Sequence, residues 1–81
     1  MPSALITGTS KGIGYDASLQ LGRAGYDVIA TMRNPDASGL AAAIEEESLP
    51  VTIRQLDVDD DRSVAEVFAE FPDIDILVNN A

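Results

Sequence analysis

Three glycines, Gly8, Gly12 and Gly14, fall in the pattern G-x-x-x-G-x-G between a short apolar run and a segment of helical periodicity. A phosphate-binding turn needs glycine in such a place: one residue makes the tight turn, one lets the backbone approach a pyrophosphate, and one lets the following helix pack close to the strand. The free N–H groups and the positive dipole end of that helix then attract the anion. The spacing differs from the commoner G-x-G-x-x-G, and a glycine-rich turn without a ligand remains the competing reading of the loop alone. Two other polar clusters could do chemistry. Leu56-Asp57-Val58 follows a strand-like run, and Asn79-Asn80-Ala81 follows another. By themselves Asp57 reads as a helix cap or a solvated acid, and the asparagine pair as turn chemistry.

Other chemistries are excluded by composition. The 81 residues contain no Cys and no His, which removes disulfides, thiolate nucleophiles and the usual zinc ligand sets; no metal site is expected. Fourteen acids against five bases give a net charge of −9, which repels a polyanion and argues against nucleic acid or an anionic membrane as partner. No apolar run reaches the roughly 18 residues of a membrane span, and Met1-Pro2-Ser3 carries no signal segment, so a cytoplasmic protein is expected.

Four strand-like and three helix-like stretches must position these groups. Ala4–Thr7 is the first strand, followed by a helix with Ile13, Ala17, Leu21 and Ala24 on its apolar face, Asp16 in its first turn and Gly25 as its stop. Val28–Met32 reads as a buried strand. Leu40–Glu47 reads as a weaker helix whose terminal glutamates oppose the dipole and favour fraying. A third strand over Val51–Leu56 alternates apolar and polar residues as an edge strand does. A third helix presents Val64, Val67, Phe68 and Phe71 on one face, and Ile74–Val78 forms the last strand. This β-α-β-α-β-α-β order implies an α/β fold: a doubly wound parallel sheet of Rossmann type, one domain over residues 1–81, strands in the order 3-2-1-4. The fourth strand reads as interior yet has no neighbour beyond it, so the sheet is expected to be truncated.

Taken together, the motifs carry a resemblance. Thr7-Gly8-Thr9-Ser10-Lys11-Gly12-Ile13-Gly14 resembles the TGxxxGIG cofactor loop of the short-chain dehydrogenase/reductase family. Leu56-Asp57-Val58 is similar to its adenine-contacting motif, and Asn79-Asn80-Ala81 to the start of its NNAG motif. All three stand in the family's order and spacing. The resemblance implies that Gly8, Thr9, Ser10, Lys11, Gly12, Ile13 and Gly14 line a phosphate turn. It also implies that Asp57 accepts from the adenine amino group with help from the Val58 backbone. Asn80 and Ala81 would lie against the adenosine ribose, and Asn79 would tie the central strands.

Cofactor choice follows from charge. An NAD site places an acid at the end of the second strand to hold the ribose hydroxyls, and that acid repels a 2′-phosphate. Here the strand ends Thr31-Met32-Arg33, with Met32 at the acid's position and a guanidinium after it. Lys11, the sole lysine, sits in the glycine loop. Two cations aimed at one phosphate favour NADP(H) over NAD(H), with Asp36, beyond Pro35, as a rival ribose ligand.

The family's catalytic Ser and Tyr-x-x-x-Lys are absent. Tyr15 is followed four residues on by Leu19 and Tyr26 by Ala30, so no residue is assigned as catalytic. The expected function is the N-terminal NADP(H)-binding part of an oxidoreductase that moves hydride between a nicotinamide cofactor and a small carbonyl or alcohol substrate. These residues alone are expected to be inactive, and homo-oligomers are compatible with the reading. The alternative is a self-standing nucleotide-binding or assembly domain without catalysis.

Overall fold

The computed structural model of the chain describes residues 2–35 and 38–80. Strands and helices alternate: β1 (Ser3–Ile6), α1 (Gly12–Arg23), β2 (Asp27–Met32), α2 (Leu40–Glu47), β3 (Val51–Gln55), α3 (Asp61–Glu70) and β4 (Ile76–Val78). All pairings are parallel, and the order is β3-β2-β1-β4, as the sequence implies. This is a Rossmann-type sheet.

The strand sequences explain their places in it. β1 and β2 are central, and Ala4, Leu5, Ile6, Val28, Ile29, Ala30 and Met32 are all buried. Successive side chains point to opposite faces, and the core divides accordingly. Ile6, Val28, Ala30 and Met32 cluster with Leu19 of α1 and Leu40 of α2. Leu5 and Ile29 cluster with Leu56 and with Val67 of α3. Helices therefore cover both faces, and each central strand contributes apolar surface to two cores. β3, with its alternating composition, lies at one edge. β4 lies at the other, and its Ile76 and Leu77 stay exposed there.

The two ends of the described chain meet beside β1. Asp75 N–H donates to the Ser3 carbonyl at 3.1 Å, and Ser3 N–H donates to Asp75 Oδ2 at 2.9 Å. Arg23 of α1 forms a bidentate pair with Glu47, at 2.7 Å to each oxygen, and so ties α1 to α2. Hydrogen bonding to Arg23 holds the Glu47 carboxyl below its usual value, and Arg54 does the same to Glu70.

Several element details differ from expectation. The buried positions of α1 are Gly14, Ser18, Leu19 and Gly22, whereas Ile13 is 78% exposed. Ala17 and Leu21 of the expected face pack against the core in partly buried positions, as Leu19 does fully, while Gly14, Ser18 and Gly22 let the helix lie close to its neighbours. Asp16 lies beyond the first turn, since α1 begins at Gly12. On α3, Val67 is buried and Val64 and Phe71 pack beside it, but Phe68 is exposed. α2 stays regular through Glu47, whose charge Arg23 offsets, and ends with Ser48 in the left-handed region at φ 54°. Strand ends move by one or two residues: β1 starts at Ser3, β3 stops at Gln55 and β4 starts at Ile76.

Candidate dinucleotide site

The chain leaves β1 at Thr7 and enters α1 through the glycine loop at the C-terminal end of the sheet, where open α/β sheets bind ligands. Gly8 and Gly12 both have φ +68°, a left-handed conformation that glycine adopts without strain. A Cβ at Gly12 would meet nothing within 4 Å, so the backbone there faces open space. At Gly14 the opposite holds. A Cβ would lie 2.3 Å from the Gly8 carbonyl oxygen and 2.7 Å from Asn80 Nδ2. Gly14 is thus the residue that lets the helix start approach the strand, and Gly12 the one whose backbone stays open to a ligand.

Hydrogen bonds hold the loop from several sides. Thr9 is fully buried, and both its N–H (3.1 Å) and its hydroxyl (3.0 Å) donate to the Thr31 carbonyl of β2. Thr31 Oγ1 donates in turn to the Ile6 carbonyl at 2.8 Å. Thr9 therefore pins the loop to the sheet, while Ser10, Lys11, Gly12 and Ile13 are exposed around the helix start. Ser18 Oγ donates to the Gly14 carbonyl at 2.8 Å, and Ser38 Oγ donates to the Ser10 carbonyl at 3.2 Å. Asn80 closes the arrangement: its N–H donates to Thr7 Oγ1 at 2.9 Å and its Nδ2 to the Gly8 carbonyl at 3.0 Å. Asn80 thus ties the segment after β4 to the loop after β1; Asn79 and Asn80 are both exposed.

Beside the loop lies a cavity of about 240 Å³ lined by Gly8, Ser10, Met32, Arg33, Asn34, Leu56 and Val58. Its lining is apolar at Met32, Leu56 and Val58, and among the described residues it carries no acid. Arg33 is the cation on its wall, with a side chain 77% exposed and Nε 4.0 Å from Asp57 Oδ1. Lys11 precedes α1 in extended conformation and lies outside that lining. Asp57 stands at the rim, its N–H bonded to Ser63 Oγ and its Oδ1 accepting from the Asp59 N–H, both at 3.0 Å. The cap of α3 is Asp60, which accepts from the Arg62 N–H. Ala81 and Asp36, both named above, lie outside the described residues.

The structure thus brings Gly8, Ser10, Arg33 and Val58 to one cavity, with Asp57 at its rim and Asn80 bonded behind the loop. It adds four residues that sequence reasoning missed: Ser18, Thr31, Ser38 and Gln55, whose Nε2 donates to the Arg33 carbonyl at 3.1 Å. Ser18 and Thr31 left a faint signal, being hydroxyls inside apolar segments.

Known proteins share this arrangement. The short chain dehydrogenase family matches residues 2–81. Human retinol dehydrogenase 8 is 39% identical over 98% of this chain, which covers 27% of that protein. (-)-Isopiperitenone reductase from Mentha piperita is 42% identical over 96% of this chain and 28% of its own. Among solved structures, the bulky-bulky ketone specific alcohol dehydrogenase from Comamonas testosteroni superposes with a TM-score of 0.83 at 34% identity, over 100% of this chain and 35% of that one. The chain spans about a third or less of the length of these relatives. The match over residues 2–81, on the same sheet order and loop, makes the chain a member of the short-chain dehydrogenase/reductase family, whose members are oxidoreductases working with nicotinamide cofactors.

Proposed function

We propose that these residues form the NADP(H)-holding part of a cytoplasmic short-chain oxidoreductase acting on a small carbonyl or alcohol substrate. The cofactor supplies hydride chemistry; this chain's residues bind and orient it. The backbone from Gly8 to Gly14 would hold the pyrophosphate, with Thr9 keeping the loop in place from behind. The apolar wall of Met32, Leu56 and Val58 would receive the adenine, with Asp57 at its amino group. Asn80, with Ala81 after it, would keep Gly8 against the ribose side. Arg33, with Lys11 across the loop, would take the 2′-phosphate. A catalytic Ser and Tyr-x-x-x-Lys are absent from these 81 residues, so proton transfer to the substrate is not assigned to any of them.

The single observation that carries the cofactor choice is the cavity wall at the end of β2, where Met32 and Arg33 stand and, among the described residues, no acid does. A guanidinium there favours a phosphate dianion and gains nothing from a ribose hydroxyl beyond an ordinary hydrogen bond. Calorimetric titration of the encoded protein with NADPH and NADH tests this. NADPH should bind more tightly, and Arg33→Ala should remove about 1.5 kcal/mol of the difference, tenfold in affinity, the lower end for a charged contact because this side chain is largely exposed. Equal affinities in the unmutated protein refute the assignment.

A further inference from the structure

The ladder between β2 and β3 ends where the Leu56 N–H donates to the Met32 carbonyl at 2.9 Å. One more rung follows, and a side chain makes it: Gln55 Nε2 donates to the Arg33 carbonyl at 3.1 Å. Gln55 is the register partner of Met32, so its amide reaches from the last paired position of the sheet to the first unpaired residue beyond β2. Gln55 is exposed, and its side chain belongs to neither apolar core. The Arg33 guanidinium, by contrast, is held loosely, with Asp57 4.0 Å away and most of its surface in solvent.

We propose that Gln55 is a positioning residue for recognition of the adenosine 2′-phosphate, a role that rests on the assignment of Arg33 above. The amide fixes the peptide plane that follows Arg33 and so the direction in which its side chain leaves the backbone. A guanidinium fixed at its root searches fewer directions before meeting a phosphate, and less of its freedom is lost on binding. Gln55 lies outside the lining of the cavity, so its effect is expected on the phosphate and not on the adenine.

Gln55→Met keeps the length of the side chain and removes the donor. Titrating the encoded protein should show NADPH binding weakened about three- to tenfold, the range for losing one hydrogen bond, with NADH binding unmoved. In an Arg33→Ala background the same substitution should change nothing. Retained NADH binding also shows that the variant is folded. Parallel weakening of both cofactors, or no change in either, overturns the positioning role while leaving Arg33 in place. An NADPH preference undiminished by Arg33→Ala overturns the assignment of Arg33 and this proposal with it.

Discussion

Replacing Gly14 with Ala tests the docking of α1 on the glycine loop. The added methyl would lie 2.3 Å from the Gly8 carbonyl oxygen, 2.7 Å from Asn80 Nδ2 and 3.0 Å from the Gly8 carbonyl carbon. Two of these three atoms are backbone, so relief requires the helix start or the loop itself to move. Forcing a methyl into such a space costs about 1–3 kcal/mol. Displacing Asn80 forfeits its bond to Gly8, about 0.5–1.5 kcal/mol more. Alanine returns at most about 1 kcal/mol of helix propensity. The net loss is about 1–4 kcal/mol, against about 4–12 kcal/mol expected for the total stability of a chain of this size. Gly12→Ala is the control. Its methyl meets nothing, and only the left-handed backbone resists it, at about 1–2 kcal/mol. Urea unfolding at low salt, with cofactor titration beside it, measures both variants. Gly14→Ala should lower the midpoint further than Gly12→Ala at unchanged slope, and should weaken NADPH and NADH alike because the loop shifts. An unchanged midpoint together with unchanged cofactor binding would refute the claim that Gly14 sets the helix-to-loop distance.

Two further outcomes are expected. Glu47 and Glu70 have their carboxyls held below the usual value by Arg23 and Arg54, so their contribution is complete above the unfolded value near pH 4.3 and fades as pH falls through the lowered folded values. The double variant Glu47→Gln/Glu70→Gln should be less stable than the unmutated protein at pH 7, and the gap should narrow by denaturant titration as the pH falls through the lowered folded values; a gap that does not narrow in acid would count against the ion pairs. At the other edge of the sheet, Leu77 is 48% exposed and Ile76 38%. The 81-residue chain should self-associate increasingly with salt, as screening offsets its charge of −9, and Ile76→Lys/Leu77→Lys should suppress this in light scattering. A monomer at every ionic strength would rule out that edge as the contact.

The sheet order was legible because strand composition tracks burial. Continuous apolar runs at Leu5–Ile6 and Val28–Ala30 mark the centre, and the alternation of Val51 to Arg54 marks an edge. The glycine loop was legible because Gly12 and Gly14 answer to backbone conformation and close approach, which no other residue satisfies. The packing face of α1 was legible only in part: Ala17 and Leu21 do pack on the core, but the closest approaches are made by Gly14, Ser18 and Gly22, which a search for apolar periodicity passes over. Phe68 failed in the opposite sense: its spacing fits the apolar face of α3, yet it joins neither core cluster and stays exposed. The supports at Thr31, Ser38 and Gln55 were hidden for a common reason. Each acts on a carbonyl 22 or more residues away in sequence, and a polar side chain gives no sign of which distant backbone it will meet. Arg33 was found from its charge, whereas the backbone contact at its root needed coordinates.

The placement of β1 at the centre of the sheet has a consequence for synthesis on the ribosome. Its first partner, β2, follows closely, but Ser3 and Asp75 are 72 residues apart, and at about 5–20 residues per second that interval lasts about 4–14 s. During it, one side of β1 has no neighbouring strand. The contact between Asn80 and Gly8 forms later still, and it belongs to the dinucleotide loop itself. A loop translated just after β1 is therefore completed by a residue made 72 positions later. Ribosome-bound chains arrested before Asn80 emerges should leave the loop open to protease, and those arrested after it should protect it.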